Sequence, residues 1–391
     1  MKKLKYILTN SGKFHHFEVA KILFKRNQLK KIICGYPWFK LKNEKIPKEL
    51  VESLGIYNIV KYPFRNILYF KRFLEFLTKL NKKNIDRATC KLIDKNNDAD
   101  VLLALAGVSL NAGLKIVKQN KIYICERSSA HISYQNDLMM DEYNDQNTKK
   151  KYVVNKWFVD KEMEEYENAD IILAPSNFVK NTFDDSTKKK IKVLGFGADT
   201  DNFYPIDKIQ KSKKYFDILF IGQKSLRKGL HYLLDAFQKF THPNKRLHIV
   251  GSDTEDINFF KNKIKNEKII IYGHVPQFKL NSIINKCHVF VLPSIEDGFG
   301  IVVLQAAAAG CPSIVSQNTG AADFVSKNCC GIVVPIRDPN AIADNLQTFS
   351  DDRNLLNEFS SKALKASNNY TWSDYVDKLN DLIFEFKKNK I

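Results

Sequence analysis

Apolar residues come in short blocks separated by glycine and by polar turns. Leu4-Lys5-Tyr6-Ile7-Leu8, followed by Thr9-Asn10-Ser11-Gly12, reads as a strand and its loop. Residues 17–29 place Val19, Ala20, Leu23 and Phe24 at helical spacing, and residues 31–35 return to strand character. Residues 101–106 are apolar throughout and stop at Gly107, as a central strand buried on both faces does. A further strand at 122–125, a charged helix at 161–169 and a strand at 171–174 closed by Pro175-Ser176 complete a βαβ rhythm. The rhythm breaks at 188–192, and Pro205 opens a basic linker. It then restarts, with strands at 217–221, 247–250, 269–272, 289–292 and 331–334 and a helix at 230–240. The pattern predicts an α/β chain of two Rossmann-like, doubly wound domains facing a cleft, residues 1–192 and 193–371. Residues 61–82 put Ile67, Phe70, Leu74, Leu77 and Leu80 on one helical face, with Lys71, Arg72, Lys79 and Lys82 around it. That suits a helix on the sheet, and equally one lying on a membrane surface.

Composition narrows the setting. At 391 residues with 44% hydrophobic content, the chain can fill two cores. It contains no run of about twenty apolar residues, so no transmembrane helix is predicted. The basic, briefly apolar start reads as a first strand, because a signal peptide needs a longer apolar centre and a cleavage site. Seven cysteines without CxxC spacing fit reduced thiols of a cytoplasmic protein. The net charge of +19 fits an anionic membrane, nucleic acid, or a lysine-rich coding bias spread over every surface.

The chemistry concentrates in residues 289–320. The apolar run Val289-Phe290-Val291-Leu292 leads to the acidic turn Glu296-Asp297-Gly298-Phe299-Gly300. An Ala-rich helix follows, stopped by Gly310 and Pro312, then the β-branched run Ser313-Ile314-Val315 and the turn Asn318-Thr319-Gly320. In a parallel sheet both loops lie at carboxyl ends of strands, where ligands bind. Gly298 and Gly300 leave room for a ligand against the backbone. Unpaired N–H groups at the helix start attract an anion, and the adjacent carboxylate accepts from sugar hydroxyls. The site suits a molecule with polyol and phosphate parts, such as a nucleotide sugar.

This segment resembles the donor-site signature of retaining glycosyltransferases of family 4, which have the GT-B fold. Pro293-Ser294, Asp297-Gly298-Phe299-Gly300 and Ala309-Gly310-Cys311-Pro312 fit that signature, but Gln305 stands where it has a second acid. Residues 220–229 resemble the family's phosphate loop, with Gly222 and Lys228-Gly229 in register and Gln223 in place of an arginine. Arg227, beside Lys228, can supply the missing charge. Alone, such a stretch is equally a plain basic loop.

The resemblance implies further roles. His131, following the strand 122–125, is the candidate to face the transferred sugar, with Glu126 and Arg127 as neighbours. Gly12 represents the glycine-rich loop after the first strand, while His15 and His16 are either acceptor contacts or helix-start residues. His274 is placed near the nucleotide base, Asn318-Thr319-Gly320 near the donor phosphates, and Gln305 near the ribose. Asp323 stands in for a nearby acid, or simply begins a helix. Residues 195–205 resemble the family's hinge phrase, and residues 372–391 are expected to cross back onto the first domain.

In that picture His131, Asp297 and Lys228 are catalytic. Gly12, Gly222, Arg227, Lys228, His274, Asp297, Gly298, Phe299, Gly300 and Gln305 bind the donor, and no metal or other cofactor is required. Asp98-Ala99-Asp100 has the spelling of a metal motif but precedes a strand. Expected partners are a nucleoside-diphosphate sugar, a glycan or lipid-linked acceptor and an anionic membrane surface, without nucleic acid. The expected place is the cytoplasm, peripheral on the inner membrane face. The implied activity is sugar transfer in surface-polysaccharide synthesis; a soluble enzyme on a small acceptor and a non-catalytic scaffold of the same fold are the alternatives.

Overall fold

A computed structural model describes residues 3–61, 71–96, 98–148 and 153–390. The N-terminal strands are β1 (Tyr6–Asn10), β2 (Leu29–Cys34), β3 (Val51–Ser53), β4 (Val101–Leu105), β5 (Ile122–Glu126), β6 (Ile171–Ala174) and β7 (Ile191–Val193). They form one parallel sheet in the order β3-β2-β1-β4-β5-β6-β7. The second sheet holds β8 (Phe216–Ile221), β9 (Lys245–Val250), β10 (Ile269–Gly273), β11 (Val289–Leu292), β12 (Ser313–Ser316) and β13 (Gly331–Val334). It is also parallel, in the order β10-β9-β8-β11-β12-β13. Strand order reverses at β1/β4 in one sheet and at β8/β11 in the other. Crevices open at such points outside the strands' carboxyl ends.

Apolar runs explain the central strands. Val289, Phe290, Val291 and Leu292 are fully buried, as are Leu102, Leu103 and Ala104. Helices cover both faces of a parallel sheet, so its middle strands tolerate no polar alternation. Two edge strands, β3 and β7, fall where the apolar pattern is too short to announce a strand; residues 188–192 read as a break. Both form by adding to a strand already in place, Val51 beside Ile32 and Ile191 beside Ile172.

Part of the expected 61–82 helix, including Ile67 and Phe70, lies outside the described residues. Within the helix Lys71–Lys95, Leu77 is buried and Leu74 and Leu80 are half-buried. The last helix, Trp372–Lys390, packs on the helix His16–Lys25 of the first lobe. Tyr6 Oη donates to Asn380 Oδ1 at 2.7 Å, and Arg26 pairs with Asp377 at 2.5 Å. All seven cysteines are free thiols; Cys329 is exposed, and its φ of 46° places it in the left-handed turn that ends a helix. No described helix is long and apolar enough to cross a membrane.

Candidate active site

Two loops leave the switch point of the second sheet side by side. The β8 loop ends in a 3-10 turn, Leu226–Lys228, and the helix Leu230–Lys239 begins after Gly229. Gly229 has φ 65°, and a Cβ there would strike the carbonyl oxygen of Pro293 at the end of β11. Only glycine accommodates both the left-handed turn and that approach. The closeness brings Lys228 to the β11 loop, where its ammonium pairs with Asp297 Oδ2. Both side chains are mostly buried, 14% and 13% exposed, but neither is sealed. Burial lowers the Lys228 ammonium from its ordinary value, against the pull of Asp297. Burial also pushes the Asp297 carboxyl up, and the charges of Lys228 and Arg227 outweigh it, so the acid sits below its usual range. Each shift reflects burial opposed by the oppositely charged partner.

The backbone fixes this acid. Asp297 N–H donates to Asn318 O at 3.0 Å, and Gly320 N–H donates to Asp297 O at 2.9 Å. The turn Asn318-Thr319-Gly320 thus braces the acidic loop from β12. Phe299 is buried and packs on Phe196 at 5.0 Å between centroids. Gly222, at the end of β8, lies against the aliphatic stem of Lys228. Gly300, with φ 77°, precedes the helix Val302–Ala308, and Gln305 sits half-buried on that helix. Lys228, Asp297, Gly222, Gly298, Phe299 and Gly300 therefore share one place.

The other expected residues make contacts of their own. Arg227 donates to Glu296 Oε2 at 3.0 Å and to Glu296 O at 3.1 Å, which aims it at the neighbouring acid. His274 is exposed after β10. Gly12 lies in the first lobe, its N–H donating to Asn10 Oδ1 at 3.2 Å. His131 caps the helix Ile132–Asp145, its Nδ1 accepting from Ser133 N–H at 3.3 Å. Its ring rests on Met163, Tyr166 and Phe183, all of the first lobe. The adjacent Ala130 N–H donates to Glu296 of the acidic loop at 2.9 Å. Asp323 accepts from Asn177 N–H at 3.1 Å, across the lobes. Asp98 pairs with Lys30, and Asp100 accepts from Lys5 N–H at 2.9 Å, so that acidic pair anchors strands.

Two further histidines, His15 and His16, share a buried carboxylate in the first lobe. His16 Nε2 donates to Glu126 Oε2 at 2.7 Å, and His15 Nε2 lies 2.5 Å from Glu126 Oε1. His15 also stacks on Phe196, with centroids 4.1 Å apart, so it reaches Phe299 through one ring. Burial pushes Glu126 up, but the two imidazoles overcome it and hold the carboxyl well below its ordinary range. Burial lowers the His15 imidazole from its ordinary value, against the pull of Glu126. Among the described residues this trio has the donor set for a metal ion. His16 holds Oε2, while Oε1 accepts from Ser128 Oγ at 3.2 Å with His15 Nε2 beside it.

Glu296 is a functional residue that local spacing does not reveal. It is fully buried. Its Oε1 accepts from Ala130 N–H at 2.9 Å, and its Oε2 accepts from Gln135 at 2.6 Å, both in the opposite lobe. Of two adjacent acids, one grips the other lobe and one faces the crevice. Glu142 makes a second clasp, accepting from His231 at 2.8 Å and from Arg337 at 2.7 Å.

Residues 205–366 match the family model of glycosyl transferases group 1. The matched segment carries both Lys228 and Asp297. The chain is 29% identical over 184 residues to the capsular polysaccharide biosynthesis glycosyltransferase CapM of Staphylococcus aureus, covering 43% of this chain and 48% of that protein. It spans about half the length of the curated relatives it matches. Sucrose-phosphate synthase of Thermosynechococcus elongatus superposes with a TM-score of 0.75 at 16% identity, over 99% of this chain and 100% of that one. HepE of Anabaena, in complex with UDP and glucose, gives 0.70 at 13% identity, over 98% and 100% of the two chains. The fold is GT-B across both lobes.

Proposed function

We propose that the chain is a retaining glycosyltransferase of family 4, a hexosyltransferase that moves a sugar from a nucleoside diphosphate to an acceptor hydroxyl in bacterial surface-polysaccharide synthesis. The observation that carries this reading is the Lys228–Asp297 pair at the β8/β11 switch point, facing the first lobe. In the resting chain the two charges neutralise each other. On donor binding, the Lys228 ammonium turns to the diphosphate and Asp297 accepts from sugar hydroxyls. The start of the helix Val302–Ala308 adds backbone N–H groups. Fixed positive charge in a dry crevice stabilises the departing diphosphate, the part a metal ion plays elsewhere. The glycosidic bond breaks with oxocarbenium character, and the leaving phosphate oxygen takes the acceptor proton, so the reading assigns no metal and no protein base. Gln305 lies near the ribose and keeps an acceptor oxygen without the charge of a glutamate. The named relative in capsule synthesis and the neighbour solved with UDP and glucose support the donor class and the setting. The enzyme works in the cytoplasm, at the inner membrane face.

The test is a panel of sugar nucleotides scored by thermal shift, followed by transfer and donor hydrolysis with the best binder. A donor that raises Tm and is turned over supports the reading. No shift with any donor, or a shift unchanged in Lys228→Met, refutes it. Binding without turnover leaves the scaffold alternative, which the neutral residues Gln223 and Gln305 motivate.

A further inference from the structure

The turn that carries Lys228 is held from the opposite lobe. Leu226 opens this turn and is fully buried, and its N–H donates to Asp256 Oδ2 at 3.1 Å. Asp256 ends the loop after β9, which runs beside the loop after β8. Lys224 N–H donates to Ser252 O at 3.0 Å, and Thr254 Oγ1 donates to Lys224 O at 2.5 Å. Both oxygens of the Asp256 carboxylate also accept from Tyr143 Oη, each at 2.8 Å. Tyr143 belongs to the helix Ile132–Asp145 of the first lobe. Its single hydroxyl proton, shared between the two oxygens, fixes the plane of the carboxylate. Tyr143 and Asp256 are both buried, where a hydrogen bond to a charged group is stronger than in water.

Leu226 is one of several attachments. Arg227 donates to Glu296, which also accepts from Gln135, about two turns earlier on the same first-lobe helix. On the far side of Lys228, His231 donates to Glu142 Oε1 at 2.8 Å, and Tyr232 Oη donates to it at 3.1 Å. Residues 226, 227, 231 and 232 are thus tied to one first-lobe helix, either directly or through one carboxylate, and Lys228 stands among them. A cation serves a diphosphate only where its position is fixed before the ligand arrives.

We propose that Asp256 and Tyr143 are positioning residues of the diphosphate site: Asp256 sets the turn that aims Lys228, and Tyr143 sets Asp256 from the other lobe. The diphosphate rests on the glycosyltransferase reading, while the coupling between the lobes rests on the hydrogen bonds alone. Both residues act through the Leu226 N–H. Separating the lobes withdraws the Tyr143 hydroxyl, releases the Asp256 carboxylate and loosens the turn, so the grip on phosphate depends on the lobes being together. Donor motifs do not announce either residue, because Asp256 lies in the loop of a neighbouring strand and Tyr143 in the opposite lobe.

Hydrogen–deuterium exchange on the full chain reads the turn directly. Tyr143→Phe keeps the ring and removes one hydroxyl. It should speed exchange of the amides of residues 226–229 at least ~10-fold and leave those of the helix Arg353–Ser367 as in wild type. Asp256→Leu should do at least as much, and the double variant no more than Asp256→Leu alone, because Tyr143 acts through Asp256. Unchanged exchange at 226–229 in Tyr143→Phe overturns the proposal. Equal acceleration of the reference helix overturns it as general loosening, and additive effects in the double variant overturn it by making the two residues independent. Calorimetry with UDP, GDP, uridine and guanosine then asks what the turn holds. A diphosphate that binds wild type should bind each single variant at least ~10-fold more weakly, while its nucleoside keeps its affinity. Equal loss for nucleoside and diphosphate, or no loss for either, overturns the assignment to a diphosphate site. Binding of neither diphosphate to wild type counts against the glycosyltransferase reading itself, and exchange at 226–229 still decides the coupling.

Discussion

Lys228 and Asp297 neutralise one another in a mostly buried crevice, so each has a structural and a chemical role. Removing one partner strands the other charge at a cost of ~3 kcal/mol, whereas replacing both by neutral groups of similar shape costs far less. We therefore expect Lys228→Met and Asp297→Asn each to lower Tm and to cut kcat/KM by at least ~100-fold. The double variant should regain most of the stability and none of the activity. Urea unfolding and donor turnover on the three proteins measure the coupling; recovery of activity in the double variant would show that the pair only holds the loops. Gln305 calls for a gentler outcome. Gln305→Ala should weaken donor binding by about tenfold, and Gln305→Glu should strengthen it, in a titration with the cognate sugar nucleotide. Unchanged affinity in Gln305→Ala would remove this residue from the ribose. At this scale the sequence was readable where a position depends on local spacing: Lys228-Gly229 and Asp297-Gly298-Phe299-Gly300 needed only the strand ends to be placed. Glu296 was not readable that way. Its direction is set by Ala130 and Gln135 of the other lobe.

Elements meet at the donor loop with little tolerance. Gly298 lies against the backbone at Ser128, and its own carbonyl oxygen accepts from Ser176 Oγ at 2.8 Å. A Cβ at 298 would collide with the Ser128 carbonyl oxygen, which is backbone and cannot rotate away. Gly298→Ala should therefore push the β11 loop off the loop after β5, at a cost of ~2–4 kcal/mol. Its Tm should fall, and donor hydrolysis should fall with it, because Asp297 is the adjacent residue. Wild-type Tm and activity would mean that the two loops stand further apart in solution. The glycine itself was visible as a space for ligand; the structure shows that much of that space belongs to the opposite lobe. Strands followed the same division. Those with four or more consecutive apolar residues, such as β4 and β11, announced themselves. The edge strands β3 and β7, three residues each, exist because β2 and β6 offer unpaired backbone groups.

Across the whole molecule the lobes are joined by buried carboxylates: Glu296 on Ala130 and Gln135, and Glu142 on His231 and Arg337. The two-lobed plan was legible from the repeated βαβ rhythm, but these clasps link residues about 90 to 200 positions apart, and no local pattern encodes them. At the far end of the second sheet, away from the crevice, a third buried polar cluster sets how the protein responds to acid. His288 Nδ1 accepts from Asp217 N–H at 3.0 Å, and its Nε2 donates to Ser212 O at 3.1 Å, so the packed ring is the neutral tautomer. Burial, with the charges of Arg353 and Lys211, lowers this imidazole to about 4. In the unfolded chain it protonates near its ordinary value of about 6.5. Between those values the unfolded state binds the extra proton, so stability falls as pH drops from 6.5 toward 4. Asp217 acts lower down: burial raises it, but His248 and Arg246 hold it at about 2, so its share is present above 3.8 and lost as pH falls toward 2. His288→Asn keeps an acceptor for the Asp217 N–H and removes the titrating ring. It should flatten the stability curve between pH 7 and 4.5 by on the order of 2 kcal/mol while leaving the decline below pH 3.8 in place. Urea midpoints at pH 7.0, 4.5 and 3.0 decide the matter, since an identical acid slope in wild type and variant would mean that His288 is already protonated in the folded protein.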